Sequence, residues 1–133
     1  MSTKQILVID DEAAIQEVVQ SCFEDLAGWT VITASSGRAG FSQALTAKPD
    51  AIVLDVLMAD MDGIALLRQL KANPATEAIP VVLLTIATDF ADPQSCALLG
   101  AVGAIAKPFD PFSLVEQVAG FLGWAVGQRE ESP

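Results

Sequence analysis

Three stretches of the chain are apolar without a break over the length of a strand: Ile6 to Ile9, Ala51 to Leu54 and Val81 to Leu84. A strand with one wet face alternates polar and apolar residues, so an unbroken run belongs to a sheet covered on both faces, the situation of parallel strands flanked by helices. Two further strand-length runs lie at Thr30 to Thr33 and, more weakly, at Ala104 to Ala106. Helical patterns fill the intervals. Ile15, Val18, Val19, Cys22, Phe23 and Leu26 form one stripe at offsets of three and four, closed by Gly28. Phe41, Ala44 and Leu45 mark a second helix, Leu66, Leu67 and Leu70 a third, and Leu114, Val115, Val118 and Leu122 the last. Asp110 before Pro111 predicts an N-cap followed by proline at the first helical position, where the missing N–H is harmless. The Ala-rich segment from about Asp89 to Leu99 carries the weakest pattern of the five. Strands alternating with helices give right-handed βα crossovers and a parallel sheet, hence a doubly wound five-stranded α/β domain. It is expected over residues 1–123, with 124–133 as a short frayed tail.

At 133 residues the chain can bury one core without disulfides or structural metal. It is 52% hydrophobic, yet no apolar run approaches the ~18 residues that a membrane-crossing helix needs. The opening MSTKQILV passes straight into a strand-like run without the parts of a signal peptide, so a cytoplasmic address is expected. Cys22 and Cys96 form no metal-ligand spacing and read as buried, reduced thiols. A net charge of −10, with only seven basic residues, opposes the electrostatic attraction on which nucleic-acid binding depends. Histidine is absent, which removes imidazole metal sites and histidine-based triads. Any chemistry therefore runs on carboxylates, lysine, serine or threonine.

Ligands of an open parallel sheet bind beyond the carboxyl ends of its strands. The first strand runs into Asp10 and Asp11, the third ends on Asp55, the fourth on Thr85, and the fifth leads into Lys107. All of these converge on one edge. Carboxylates gathered in a partly dehydrated cleft must protonate, move apart or share a cation. Oxygen ligands without His or Cys favour Mg²⁺, so a divalent ion resolves the repulsion. Asp62 in DMDG reads as an ordinary N-cap and Glu12 as a first-turn partner of the helix dipole.

With those residues in place, the sequence resembles the receiver domain of two-component response regulators from residue 4 to about 123, in its single-domain, chemotaxis-regulator-like form. The likeness is carried by LVIDDE, IVLDVLMADMDG, VVLLT and GAVGAIAKPF taken together, since each alone is a weak signal. It implies a flavodoxin-like (βα)5 sheet of strand order 2-1-3-4-5. It further implies that Asp55 accepts a phosphoryl group, that Asp10, Asp11, Asp55 and the backbone oxygen of Leu57 hold Mg²⁺, and that Thr85 and Lys107 contact the phosphoryl oxygens. A cis peptide between Lys107 and Pro108 would aim the lysine into the pocket. The donor would be a sensor histidine kinase or a histidine phosphotransfer protein, and a downstream protein would read the altered surface. No separate substrate turnover, nucleic-acid contact or membrane insertion is expected.

The chain departs from the family pattern at four places. Ala59 stands where proline is usual, Ile86 where a small residue normally follows Thr85, and Ala104 where the family carries a switch aromatic. Phe90 and Phe109 are the nearest aromatics in sequence. From Ile86 to Val115 the only charges are Asp89, Asp92, Lys107 and Asp110, which suits a homodimer or docked partner on the face of the fourth helix, fifth strand and last helix. Ile86 and the missing aromatic favour one alternative, a degenerate receiver that docks proteins without being phosphorylated. The intact acids, threonine and lysine favour the phosphorylated reading. An aspartyl phosphohydrolase would need an acid two residues after the nucleophile, where Leu57 stands. A flavin or nucleotide binder would want phosphate-cradling donors after the first strand, where DDEAA offers acids. Ending soon after its last helix, the sequence reads as a stand-alone regulator or a receiver cut from a larger protein.

Overall fold

The computed structural model describes residues 4–56, 58, 62–85, 97–107 and 109–124. Along the chain run β1 (Gln5–Ile9), α1 (Ala13–Cys22), a π-helical turn (Phe23–Ala27), β2 (Thr30–Ala34), α2 (Gly37–Ala47), β3 (Ala51–Asp55), α3 (Gly63–Ala72), β4 (Val81–Thr85), β5 (Gly103–Ala106) and α4 (Pro111–Leu122). Residues 97–99 are helical, at the end of the segment where a weakly patterned helix is expected; 86–96 lie outside the described residues. The five strands form one sheet in the order β2-β1-β3-β4-β5, parallel throughout. That is the flavodoxin-like order.

The unbroken apolar runs have the expected cause. Ile6 and Val8 of β1, Ala51 and Val53 of β3, and Val82 and Leu84 of β4 face a core built with Val19, Phe23, Leu114, Val115 and Val118 of the flanking helices. Leu7, Ile9, Ile52, Leu54, Val81 and Leu83 face the opposite core, with Ala44, Leu66, Leu67 and Leu70. Each central strand is therefore covered on both sides, and no helix among the described residues is long and apolar enough to cross a membrane.

Several local expectations need correction. Val18, placed in the inward stripe of α1, is 40% exposed. The Cys22 thiol is half-buried rather than buried, and Cys96 lies outside the described residues. After Cys22 the helix widens into the π-helical turn and closes on Gly28, whose φ of 75° is the left-handed conformation that glycine adopts without strain. This turn swings Trp29 into the core beside Phe23, with ring centroids 5.3 Å apart. Trp124, the first residue of the expected tail, stands edge-on to Trp29 at 5.0 Å, and Lys4 Nζ lies 5.3 Å from its ring. Asp110 occupies the N-cap position of α4 but makes no side-chain cap; its carboxylate accepts from the Ser113 hydroxyl at 3.0 Å instead.

Two glycines let helices approach the sheet near its carboxyl edge. A Cβ on Gly40 would stand 2.5 Å from Ile9 Cδ1, and one on Gly63 would stand 2.5 Å from the Asp55 carbonyl oxygen and 2.6 Å from Val56 Cα. Ile9 can shift its side chain, whereas the end of β3 is backbone and cannot yield locally. Gly63 N–H also donates to the Val56 carbonyl at 2.7 Å, and Asp62 caps α3 as expected, its Oδ1 accepting from Ile64 N–H at 3.0 Å. Gly63→Ala is expected to destabilise the fold by roughly 1–3 kcal/mol through this overpacking. Gly120→Ala, with nothing within 4 Å of the added carbon, should stabilise it by up to ~1 kcal/mol through helix propensity. Urea midpoints of the two variants moving in opposite directions would bear this out, and a neutral Gly63→Ala would refute the close approach.

Candidate functional site

Parallel register brings the expected residues to one rim. Ile9 of β1 lies opposite Leu54 of β3, so the next residues, Asp10 and Asp55, are neighbours across the two strands. Asp55 pairs with Leu84, and Thr85 pairs with Ala106, one residue before Lys107. Beyond the ladder Lys107 N–H donates to the Thr85 carbonyl at 2.9 Å, Val56 N–H to the Leu84 carbonyl at 3.0 Å and Asp10 N–H to the Ala34 carbonyl at 3.1 Å. Backbone hydrogen bonds thus fix the stems of Asp10, Asp55, Thr85 and Lys107 along the sheet's carboxyl edge.

The side chains are buried to an extent unusual for charge. Asp10 has no exposed surface, and Asp55 and Thr85 are 3% and 2% exposed. Lys107 Nζ lies between the two acids, 3.2 Å from Asp55 Oδ1 and 3.3 Å from Asp10 Oδ2, with Glu12 Oε1 farther out at 3.7 Å. Asp10 Oδ1 accepts the Glu12 N–H at 2.9 Å, so both of its oxygens are engaged. Carboxylate oxygens of Asp10, Asp11 and Asp55 lie within 4.8 Å of one another, Asp11 being the exposed member. Asp10, Glu12 and Asp55 share the ammonium of Lys107, and Asp11 brings a further carboxylate oxygen to the same rim. Carboxylates gathered at a dehydrated rim are costly unless cations share their charge.

The donor set is carboxylate oxygen alone, the hard-ligand chemistry that suits Mg²⁺, which takes few protein carboxylates and keeps water on its remaining positions. The residues present fit such an ion. Leu57, whose backbone oxygen the family resemblance adds to this set, lies outside the described residues, as do Ala59, Ile86 and Pro108 with its peptide to Lys107. Ala104 is half-buried against the core on the α2 and α3 side of the sheet. Two contacts were not foreseen. Glu12 stands at the N-cap position of α1 without capping it and reaches Lys107 instead of serving the first turn. Gln16 donates its side-chain amide to the Asp10 carbonyl and to the end of β2. Gln16 lies outside the apolar stripe of α1, so hydrophobic spacing gives no signal for it.

Burial by itself lowers the Lys107 pKa, but attraction from Asp10 and Asp55, with hydrogen bonds to both, outweighs it and holds the pKa above its ordinary 10.5. A lysine whose folded pKa is raised stabilises the fold fully below its unfolded pKa, and this contribution disappears as pH rises through the folded value. With no tyrosine in the chain, no phenol titrates in the same range. The unfolding free energy should fall as pH rises above about 10.5, and Lys107→Met should flatten that fall. Identical alkaline profiles for parent and variant would contradict the pairing.

The family model described as the response regulator receiver domain matches residues 6–119. The alkaline phosphatase synthesis transcriptional regulatory protein PhoP of Bacillus subtilis is 38% identical over 119 residues, covering 90% of this chain and 48% of that protein. The phosphate regulon transcriptional regulatory protein PhoB of Pseudomonas aeruginosa is 34% identical over 122 residues, covering 92% of this chain and 53% of that protein. The chain thus spans about half the length of these curated relatives. Among solved structures, the chemotaxis response regulator CheY4 of Vibrio cholerae superposes with a TM-score of 0.81 at 29% identity, covering 90% of this chain and 99% of that one. A putative response regulator from Chloroflexus aurantiacus gives 0.81 at 30% identity, covering 92% and 99%.

Proposed function

The chain belongs to the response regulator receiver domains of two-component signalling systems, and from that premise we propose that Asp55 accepts a phosphoryl group in a Mg²⁺-dependent reaction. The observation that carries this reading is the clustering of Asp10, Asp11 and Asp55 oxygens within 4.8 Å beside Lys107, whose ammonium is 3.2 Å from Asp55. Asp55 is the nucleophile: one of its carboxylate oxygens bonds to phosphorus as the bond from phosphorus to the donor breaks, leaving an acyl phosphate and a released donor. Phosphoryl transfer passes through a loose transition state with charge spread over the equatorial oxygens, so positioning and positive charge do most of the work. Lys107 supplies an ammonium already beside the nucleophile, and Thr85 supplies a hydroxyl on the adjacent strand end. Asp10, Asp11, Asp55 and the Leu57 carbonyl would hold the metal, which when bound neutralises phosphoryl charge.

Since the chain contains no histidine, a phosphohistidine donor is another protein, a sensor kinase or a phosphotransfer protein. The acquired charge draws Thr85 and Lys107 toward the phosphoryl group and shifts the surface beside β5 and α4. There Leu98, Val102 and Phe121 are exposed, and a second copy of the chain or a downstream protein would read the change. Ala104 offers no aromatic relay, so threonine and lysine movements carry the response.

Intact-mass measurement after treatment with a small phosphodonor and Mg²⁺ tests the reading. The parent should gain one phosphoryl group, and Asp55→Asn and metal-free parent should gain none. A folded, Mg²⁺-loaded parent that stays unmodified would instead identify a protein-docking module. Sedimentation of the phosphorylated protein then separates self-association, which raises its mass, from a surface reserved for a different partner.

A further inference from the structure

The β1 ladder ends at Ile9, which leaves the carbonyl of the fully buried Asp10 to find its hydrogen bond outside the sheet. Gln16, on α1, provides it. Its Nε2 lies 2.5 Å from the Asp10 carbonyl oxygen, 3.1 Å from the Ala34 carbonyl oxygen and 3.1 Å from Ser35 Oγ. Two of those three partners are carbonyls, which can only accept, so the amide nitrogen must face them and the side chain has one satisfactory orientation.

The Asp10 carbonyl belongs to the peptide that joins Asp10 to Asp11. Fixing that oxygen fixes the plane from which the Asp11 side chain departs. Asp10 is held at its other polar atoms as well: N–H to the Ala34 carbonyl at 3.1 Å, Oδ1 from Glu12 N–H at 2.9 Å and Oδ2 from Lys107 at 3.3 Å. Asp11 is the exposed member of the acidic cluster, and its side chain leaves the backbone from that peptide.

We infer that Gln16 is a positioning residue for the acidic site: its carboxamide locks the Asp10–Asp11 peptide against the end of β2 and thereby aims Asp11 at the shared cation. The inference rests on the metal-binding part of the proposed function. Loss of the amide leaves the buried Asp10 carbonyl without this donor, frees the peptide to rotate, and withdraws one oxygen from the cluster. Outer partners that orient metal ligands typically change affinity by 10–100-fold when removed.

Gln16→Met keeps length and volume and removes both donors, whereas Ser35→Ala removes one acceptor and leaves both carbonyl contacts. Calorimetric titration with Mg²⁺ should give about 10-fold weaker binding for Gln16→Met and a change below about twofold for Ser35→Ala. Without metal, amide exchange at Glu12, whose N–H reports on the Asp10 carboxylate, should accelerate in Gln16→Met by more than the accompanying fall in thermal midpoint accounts for. Should Gln16→Met fail to fold, Gln16→Asn, whose shorter arm cannot span the same contacts, is measured in its place. Parental Mg²⁺ affinity together with parental Glu12 exchange in the variant would overturn the inference. A parent that binds no Mg²⁺ would defeat the metal-binding reading instead, and Glu12 exchange would still decide whether Gln16 holds the loop.

Discussion

Lys107 Nζ stands 3.3 Å from Asp10 and 3.2 Å from Asp55, and the arrangement of the rim follows from that shared ammonium. Two carboxylates buried at adjacent strand ends cannot both remain charged without compensation. Lys107 supplies that compensation to both, and Glu12 and Asp11 bring further carboxylate oxygens to the margin. An all-oxygen cluster of this kind suits a divalent cation, which is the basis of the proposed phosphoryl chemistry.

Holding such a cluster together requires a platform that does not relax. The sheet meets this need because its central strands are buried on both faces, so a lateral shift of any strand would disturb two cores at once. The register that pairs Ile9 with Leu54 and Thr85 with Ala106 is thereby translated into fixed spacing among the polar side chains at the strand ends. Gly63 sets the start of α3 directly against the end of β3, where an added carbon would strike the backbone of Asp55 and Val56. Gln16 performs the corresponding service for the end of β1, tying it to α1 and β2. Asp55 and the acidic pair thus sit on stems that are each braced from a neighbouring element.

Much of this was legible in the sequence because it rests on simple regularities. Unbroken apolar runs at 6–9, 51–54 and 81–84 announce a doubly covered parallel sheet, and reading the residue after each run yields Asp10, Asp55 and Thr85 without reference to any fold. The strand order and the particular roles came from the family resemblance. What escaped is what depends on geometry below the level of pattern. Val18 fits the apolar stripe by spacing, yet it faces outward, because a stripe defined by offsets of three and four is wider than the strip of helix that the sheet covers. The π-helical turn at Phe23–Ala27 leaves no mark in hydrophobic periodicity, although Gly28 signals that the helix ends there. Glu12 and Gln16 look like ordinary helix-surface residues until the ends of β1 and β2 are placed beside them.

The relatives divide in an informative way: the chain spans about half of PhoP and PhoB but covers 99% of CheY4. The unit common to all of them is the one that carries the rim. If its acids, gathered by parallel register, share a single divalent ion, that ion can be located directly by anomalous scattering from a crystal grown with Mn²⁺, a redox-stable stand-in for Mg²⁺. One peak within coordinating reach of Asp11 and Asp55, with Lys107 still flanking Asp55, is the predicted result. No peak at the rim, or a peak bound elsewhere while Lys107 alone bridges the acids, would contradict it.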